Sequence, residues 1–254
     1  MRTFIMGDIH GEHTKLLECL QGVKFDYEKD TLIQLGDIVD RGAKSFECVE
    51  TLLKIKNLIA IRGNHDDCFK QWLERPSECL LFNQGCEETI KSYFENCCPH
   101  RQLVRKFSGI STDFQLSDLP QSHIKFFFET QLPYYIDKDN NCFVHGGFNR
   151  HYLIEEQDEL ASLWWDRDLF YAALSWGQME PGDEQKYPNR GKFKTKNNFK
   201  EIFIGHTPTV SWKTTKPINA ANVWNLDTGC GKGNFPLTIM NLETKEIFQS
   251  NSNF

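Results

Sequence analysis

The sequence predicts an α/β fold, a largely parallel sheet with helices between its strands. Two observations carry the prediction. Three short apolar runs, Thr3 to Met6, Thr31 to Leu35 and Leu58 to Ile61, alternate with stretches whose apolar residues recur at helical spacing. Each run stops at a polar block rich in glycine, GDIHG at 7–11, GDIVDRG at 36–42 and RGNHD at 62–66. Open α/β sheets place their ligands just beyond such carboxyl strand ends.

In chain order, the first strand feeds a helix from Glu12 to Leu20, spaced by Leu16, Leu17 and Leu20. The second strand feeds a helix through Phe46, Val49, Leu52, Leu53 and Ile55, and the third ends at RGNHD. From 67 to 139 the pattern turns to helical and loop segments rich in Phe, with Phe126, Phe127 and Phe128 in a row. This stretch is expected to be an insertion flanking the cleft. Cys142 to Val144 returns to strand and delivers His145, and a helical stretch follows around Trp164 to Trp176. Trp164 and Trp165 are expected to pack in the core. A loop rich in Pro, Gly, Asn and Lys covers 181–198, after which Ile202 to Ile204 leads into Gly205 and His206. Val223 to Leu226, Leu237 to Leu242 and Glu246 to Phe248 read as consecutive strands of a second sheet.

The chain of 254 residues is long enough for one large core, so one domain over 1–254 is expected. A formal net charge of -6 provides no global positive field for nucleic acid or an acidic membrane. Nine cysteines without a CxxC pair, two of them adjacent at Cys97 and Cys98, make a poor disulfide framework. Reduced thiols and a cytoplasmic location are the expectation. The opening MRTFIMGD reaches Asp8 too soon for a signal or membrane segment.

Two later blocks, HGG at 145–147 and GHT at 205–207, join the first three. Together they offer carboxylate and amide oxygens and imidazole nitrogens, with glycines that let the backbone turn sharply toward one point. In these five blocks the chain resembles the calcineurin-like metallophosphoesterases, and within them the phosphoprotein phosphatase branch. The motifs run through most of the chain, so the resemblance covers a whole domain. The fold it implies is a two-sheet β-sandwich flanked by helices, four layers in the order α/β/β/α.

The resemblance assigns Asp8, His10 and Asp37 to one metal ion, and Asp37, Asn64, His145 and His206 to a second, with Asp37 as the bridge. A carboxylate can bridge two cations, and neutral imidazole suits Mn, Fe or Zn better than Ca or Mg. Two such cations can hold a bridging hydroxide for in-line attack on phosphorus. The resemblance makes His65 the acid for the leaving group, with Asp40 as its orienting partner. Arg41 and Arg62 resemble phosphate clamps, and WWDR makes Arg167 a third, with Arg190 as second choice. Asn83, Gln84 and Gly85, followed by Thr89 and Tyr93, resemble a segment that bacterial and phage members carry beside the cleft. Asp227, Thr228 and Gly229 are read as a strand-end turn supporting the site.

Eukaryotic members have Glu where this chain has Asp66, and a SAPNY block that is absent here. The resemblance is therefore to the compact bacterial and phage-lambda type. The expected activity is a metal-dependent phosphomonoesterase, a serine/threonine protein phosphatase that can extend to phosphotyrosine. The expected partner is a phosphorylated protein or peptide, with neither nucleic acid nor membrane. The alternative is a symmetrical bis(5'-nucleosyl)-tetraphosphatase acting on a small phosphorylated nucleotide, favoured by the DTGC string at 227–230 and opposed by Asp40. A non-catalytic scaffold of the same fold is disfavoured because every expected position is filled.

Overall fold

The computed structural model describes residues 1–75, 82–101, 104–106, 109–111, 113–177 and 193–251. The first part of the chain forms β1 (Thr3–Met6), α1 (His13–Gly22), β2 (Thr31–Gln34), α2 (Ser45–Leu52), β3 (Asn57–Ala60) and α3 (Asn64–Glu74). The stretch expected as an insertion holds α4 (Cys86–Cys97), the strands β4 (Val104–Lys106) and β5 (Gly109–Ser111), α5 (Gln121–Lys125) and β6 (Tyr134–Ile136). After it come β7 (Cys142–Val144), α6 (Ser162–Trp165), α7 (Asp168–Gly177), β8 (Ile202–Ile204), β9 (Ile218–Ala220), β10 (Val223–Asn225), β11 (Thr238–Asn241) and β12 (Ile247–Gln249).

The large strands make two five-stranded sheets, ordered β12-β11-β1-β2-β3 and β6-β7-β8-β10-β9. Three adjacent strands run parallel in each sheet, β1, β2 and β3 at one side of the first and β7, β8 and β10 at the centre of the second. The period of two along each strand sorts side chains between two faces. Phe4 and Met6 turn to the helices α1–α4, while Ile5 turns inward with Ile33, Met240, Phe143 and Phe203 from both sheets. Cys142, Val144, Ile202 and Ile204 turn outward against α6 and α7. Three apolar layers therefore separate four structural ones, as expected for α/β/β/α. Phe143 and Phe203 stack at 5.0 Å between the sheets, and each buried ring contributes about 1.5–3 kcal/mol.

The reading of the last three strands as consecutive members of a second sheet is corrected. β10 pairs with β8, but β11 pairs antiparallel with β1, setting Ile5 opposite Met240, and β12 follows on β11. Ile239 and Met240 point to opposite faces and so fit a strand buried on both sides, which closes the open edge of β1. Trp165 is also a correction: Trp164 is buried, but Trp165 is 45% exposed. Seven described cysteines are free thiols, whereas Cys86 is disulfide-bonded, against the expectation of wholly reduced thiols. Among the described residues no helix is long and apolar enough to cross a membrane.

Candidate active site

The blocks that follow β1, β2, β3, β7 and β8 meet at the carboxyl ends of the two parallel cores. Asp8, His10, Asp37, Asn64, His145 and His206, which carry the predicted metal ligands, are all buried. Asp37 divides its oxygens between two groups. Oδ2 faces His10 Nε2 at 3.5 Å, and Oδ1 faces His145 Nε2 at 3.3 Å. Asn64 Oδ1 lies 3.1 Å from His145 Nε2 and 2.8 Å from His206 Nδ1. Asp8 Oδ2 is 3.9 Å from His10 Nε2 and accepts the His206 backbone N–H at 3.1 Å.

The hydrogen bonds fix which ring nitrogens carry lone pairs. His10 Nδ1 donates to the Val39 carbonyl at 2.9 Å and His145 Nδ1 donates to the Leu35 carbonyl at 2.7 Å, so each Nε2 turns to the carboxylates. His10 Nε2 and His206 Nε2 have no hydrogen-bond partner although both are buried. Burial, followed by Arg41, holds His10 well below the ordinary histidine range, and burial, followed by His145, holds His206 down at about 2. Both are thus neutral donors. Burial would also lower His145, but Asp37 outweighs it and raises the imidazole to about 9. Lone pairs of His145, Asn64 and Asp37 converge here and need a positive charge, supplied by a proton or by a cation that displaces it. The donor set fits two divalent cations sharing Asp37.

The backbone is strained where the side chains converge. His10, Asp37, Asp40, Arg41 and His206 all have φ between 50° and 73°, a region that costs a non-glycine residue about 1–2 kcal/mol. Each is held by a bond to its own N–H from another residue of the site. His10 donates to the Asp37 carbonyl at 2.9 Å, Arg41 to the Gly85 carbonyl at 3.1 Å, and His206 to Asp8. Asp37 donates to Asp66 Oδ2 at 3.0 Å, and Asp40 to Thr89 Oγ1 at 2.6 Å. Such concentration of strain is characteristic of functional sites. Two glycines are required by close approach: a Cβ on Gly63 would collide with Asp37, and one on Gly205 would collide with the Asp8 carboxylate.

His65 Nδ1 donates to Asp40 Oδ2 at 2.6 Å, and its Nε2 stands 3.2 Å from Arg41 Nη2. Asp40 is itself held by Thr89, whose hydroxyl donates to Asp40 Oδ1 at 2.8 Å and lies 3.0 Å from Ser45 Oγ. Burial raises Asp40 above the usual carboxylate range, a shift that His65 and Thr89 oppose. Of the predicted clamps, Arg62 is anchored by Nη2 to the Phe127 carbonyl at 2.8 Å. Arg167 Nη1 donates to the His206 carbonyl at 3.1 Å and to Thr207 Oγ1 at 2.9 Å, which fixes it beside a predicted ligand. Arg190 lies outside the described residues.

Asp66 escaped a functional reading, and Thr89 was expected only as part of the segment beside the cleft, not as a partner of Asp40. Asp66 accepts from the backbone N–H groups of Asp37, Ile38 and Gly63 and from Gln131 Nε2, all between 2.9 and 3.1 Å, and so shapes the GDIVDRG turn. Its place in the first turn of α3, three residues after Gly63, was the available signal. Thr89 sits on α4, four residues beyond Gly85, and nothing in the sequence pairs it with Asp40. Asp227 behaves as the expected strand-end turn, accepting from Gly229 N at 2.9 Å.

The calcineurin-like phosphoesterase family model matches residues 1–210. The chain belongs to that family. Among curated proteins it is 28% identical to a symmetrical bis(5'-nucleosyl)-tetraphosphatase of Coxiella burnetii strain RSA 331, over 97% of this chain and 90% of that one. It is 27% identical to the enzyme of the same name from Actinobacillus pleuropneumoniae serotype 5b, over 98% of both chains. Among solved structures, a cold-active protein-tyrosine phosphatase of a Shewanella species superposes with a TM-score of 0.55 at 14% identity, covering 99% of this chain and 78% of that one. This phosphoesterase is therefore a hydrolase of a family that uses divalent metal ions.

Proposed function

We propose that this phosphoesterase hydrolyses phosphomonoesters, with phosphoserine and phosphothreonine in proteins or peptides as its substrates. One observation carries the reading: the buried Asp40–His65 pair, held by Thr89, at the edge of the ligand cluster. A serine or threonine alkoxide is a strongly basic leaving group and needs a positioned proton. A nucleotide phosphate leaves readily without one. A cytoplasmic location, with neither nucleic acid nor membrane as partner, belongs to the same proposal.

In this reading Asp8, His10 and Asp37 would hold one cation, and Asp37, Asn64, His145 and His206 would hold the other. Bound there, two Mn ions, with Fe or Zn as alternatives, would supply Lewis acidity and positive charge for hydrolysis at phosphorus. The chain's own residues do the rest. Arg41, Arg62 and Arg167 bind phosphoryl oxygens with forked guanidinium groups. His65 Nε2, which accepts from Arg41 Nη2 in this structure, must first take a proton from solvent; it then passes that proton to the leaving oxygen while Asp40 holds Nδ1–H and steadies the imidazolium.

The second reading, a symmetrical dinucleoside tetraphosphatase, is favoured by relatives of that name that match nearly the whole chain. Mn-loaded protein should be given a phosphothreonine peptide and, separately, diadenosine tetraphosphate, with products separated by chromatography. Higher kcat/KM on the peptide is the expected result. Efficient cleavage to two ADP with an inert peptide overturns it in favour of the second reading.

A further inference from the structure

Lys232 follows the DTGC string and belongs to no step of the hydrolysis. Gly229, Gly231 and Gly233 around it take φ of 92°, 78° and 90°, and Lys232 N donates back to the Gly229 carbonyl at 3.0 Å, so the chain doubles on itself here. A Cβ on Gly231 would stand 2.5 Å from the Cβ of His10 and 3.3 Å from that of Arg41, which seats the turn on a predicted metal ligand and a predicted phosphate clamp. Lys15 holds its far end, with Nζ donating to the Phe235 carbonyl at 3.1 Å and to the Gly233 carbonyl at 3.4 Å.

On this anchored turn the Lys232 residue is exposed, and its side chain makes no hydrogen bond or ion pair with a described residue. Partial burial of the stem, then Arg41, lowers the ammonium from the ordinary lysine range, while Asp227 and Asp8 oppose the shift, so its charge is felt at the site. Lys232 also lines a cavity of about 650 Å³, with Lys216, Asn234, Gln249 and Ser250 among its walls. None of the nine lining residues is acidic, in a chain whose 35 Asp and Glu outnumber its 29 Lys and Arg. Lys216 Nζ donates to Gln249 Oε1 at 2.6 Å and has two further N–H groups to offer. Glu18, the carboxylate bonded at the rim, is occupied by the Asn251 N–H at 2.9 Å. Two ammonium groups among amides and a hydroxyl, with no carboxylate facing them, suit an anion.

We propose that Lys232 is a specificity-determining residue and that, with this cavity, it forms a subsite for a second anionic group of the substrate, beside the phosphoryl group that is cleaved. In a phosphopeptide that group is a Glu or Asp side chain close to the phosphoserine or phosphothreonine. The proposal rests on the phosphomonoesterase reading for the nature of the substrate. The remaining phosphates of a dinucleoside tetraphosphate are the other source of the same chemistry.

The test compares wild-type, Lys232→Gln, Lys232→Arg and Lys216→Gln proteins, each loaded with Mn, on two phosphothreonine peptides that differ only in having Glu or Gln on both sides of the phosphoresidue. Wild type should favour the Glu peptide about two- to fivefold in kcat/KM, through KM rather than kcat, which is the scale of one exposed ion pair. Lys232→Gln should remove that preference, Lys216→Gln should reduce it, and Lys232→Arg should keep it. The preference should also shrink between about 0.05 M and about 0.5 M salt. No preference in wild type, or one that Lys232→Gln leaves in place, overturns the subsite. If diadenosine tetraphosphate alone turns over, the monoesterase reading fails; a KM for it that rises about two- to fivefold in Lys232→Gln and not in Lys232→Arg then supports the subsite and assigns it to the phosphate chain, whereas an unmoved KM overturns it.

Discussion

Replacing Thr89 by Val keeps the shape of the side chain and removes one oxygen atom that organises the proton donor. That oxygen donates to Asp40 Oδ1 at 2.8 Å, accepts the Asp40 N–H at 2.6 Å and contacts Ser45 Oγ at 3.0 Å, all in buried surroundings. A hydrogen bond to a charged group is worth about 1.5–3 kcal/mol net, and an orphaned buried donor costs about 1–3 kcal/mol. The variant should lose about 2–5 kcal/mol of stability and remain folded at low temperature. Without Thr89, Asp40 is free to relax from its φ of 73° and to swing His65 away from the leaving oxygen. Misplacement on that scale costs about 10–100-fold in turnover, on alkyl phosphates more than on aryl phosphates. Thr89 is one of the groups that hold the Asp40 carboxyl down against burial. Its loss raises that carboxyl further, so the acid limb of the kcat profile should move to higher pH. The assay is a pH profile of kcat on a phosphoserine peptide and on p-nitrophenyl phosphate, with Thr89→Ser expected to restore both rate and profile. A Val variant that loses stability alone, with an unmoved acid limb and equal losses on the two substrates, would refute the relay.

Asp37→Asn should weaken metal binding by at least about 100-fold and abolish turnover, because both oxygens are committed to opposite halves of the site; elemental analysis showing two ions per chain in the variant would contradict the bridge. Away from the site, Asp30 binds Arg2, and although burial opposes ionisation, that pair and the Asp26 N–H bring the carboxyl down to about 2. A depressed carboxyl stabilises the fold above its unfolded value near 3.8. That contribution is lost as pH falls from about 4 toward 2, and it amounts to about 1–2 kcal/mol after discounting for the half-exposed Arg2. Urea melts of Asp30→Asn should show the loss at pH 7 and converge with wild type near pH 2.

The strands and their turns were legible because alternation and glycine placement are local properties. Thr3–Met6, Cys142–Val144 and Ile202–Ile204 have the bounds read from the sequence. The partner of a strand is not local. Nothing near Thr238–Asn241 says that it lies beside β1, since that choice depends on which open edge accepts a strand buried on both faces. The clustering of the site residues was legible, and the structure brings the six expected ligands and His65 with Asp40 together. Their geometry was not. Asp37, Asp40 and Arg41 take positive φ, and the partners that hold them there, Asp66, Thr89 and Gly85, are distant in the chain. Trp165 was misread because its direction depends on where α6 ends, at Asp166, rather than on apolar spacing.

The central claim, that His65 protonates a basic leaving group, is tested most directly by His65→Asn across a series of phosphomonoesters of increasing leaving-group basicity. The account predicts that the loss in kcat/KM grows with basicity, from little on nitrophenyl phosphate to about 10²–10⁴-fold on alkyl phosphates. A loss that is the same across the series would contradict it.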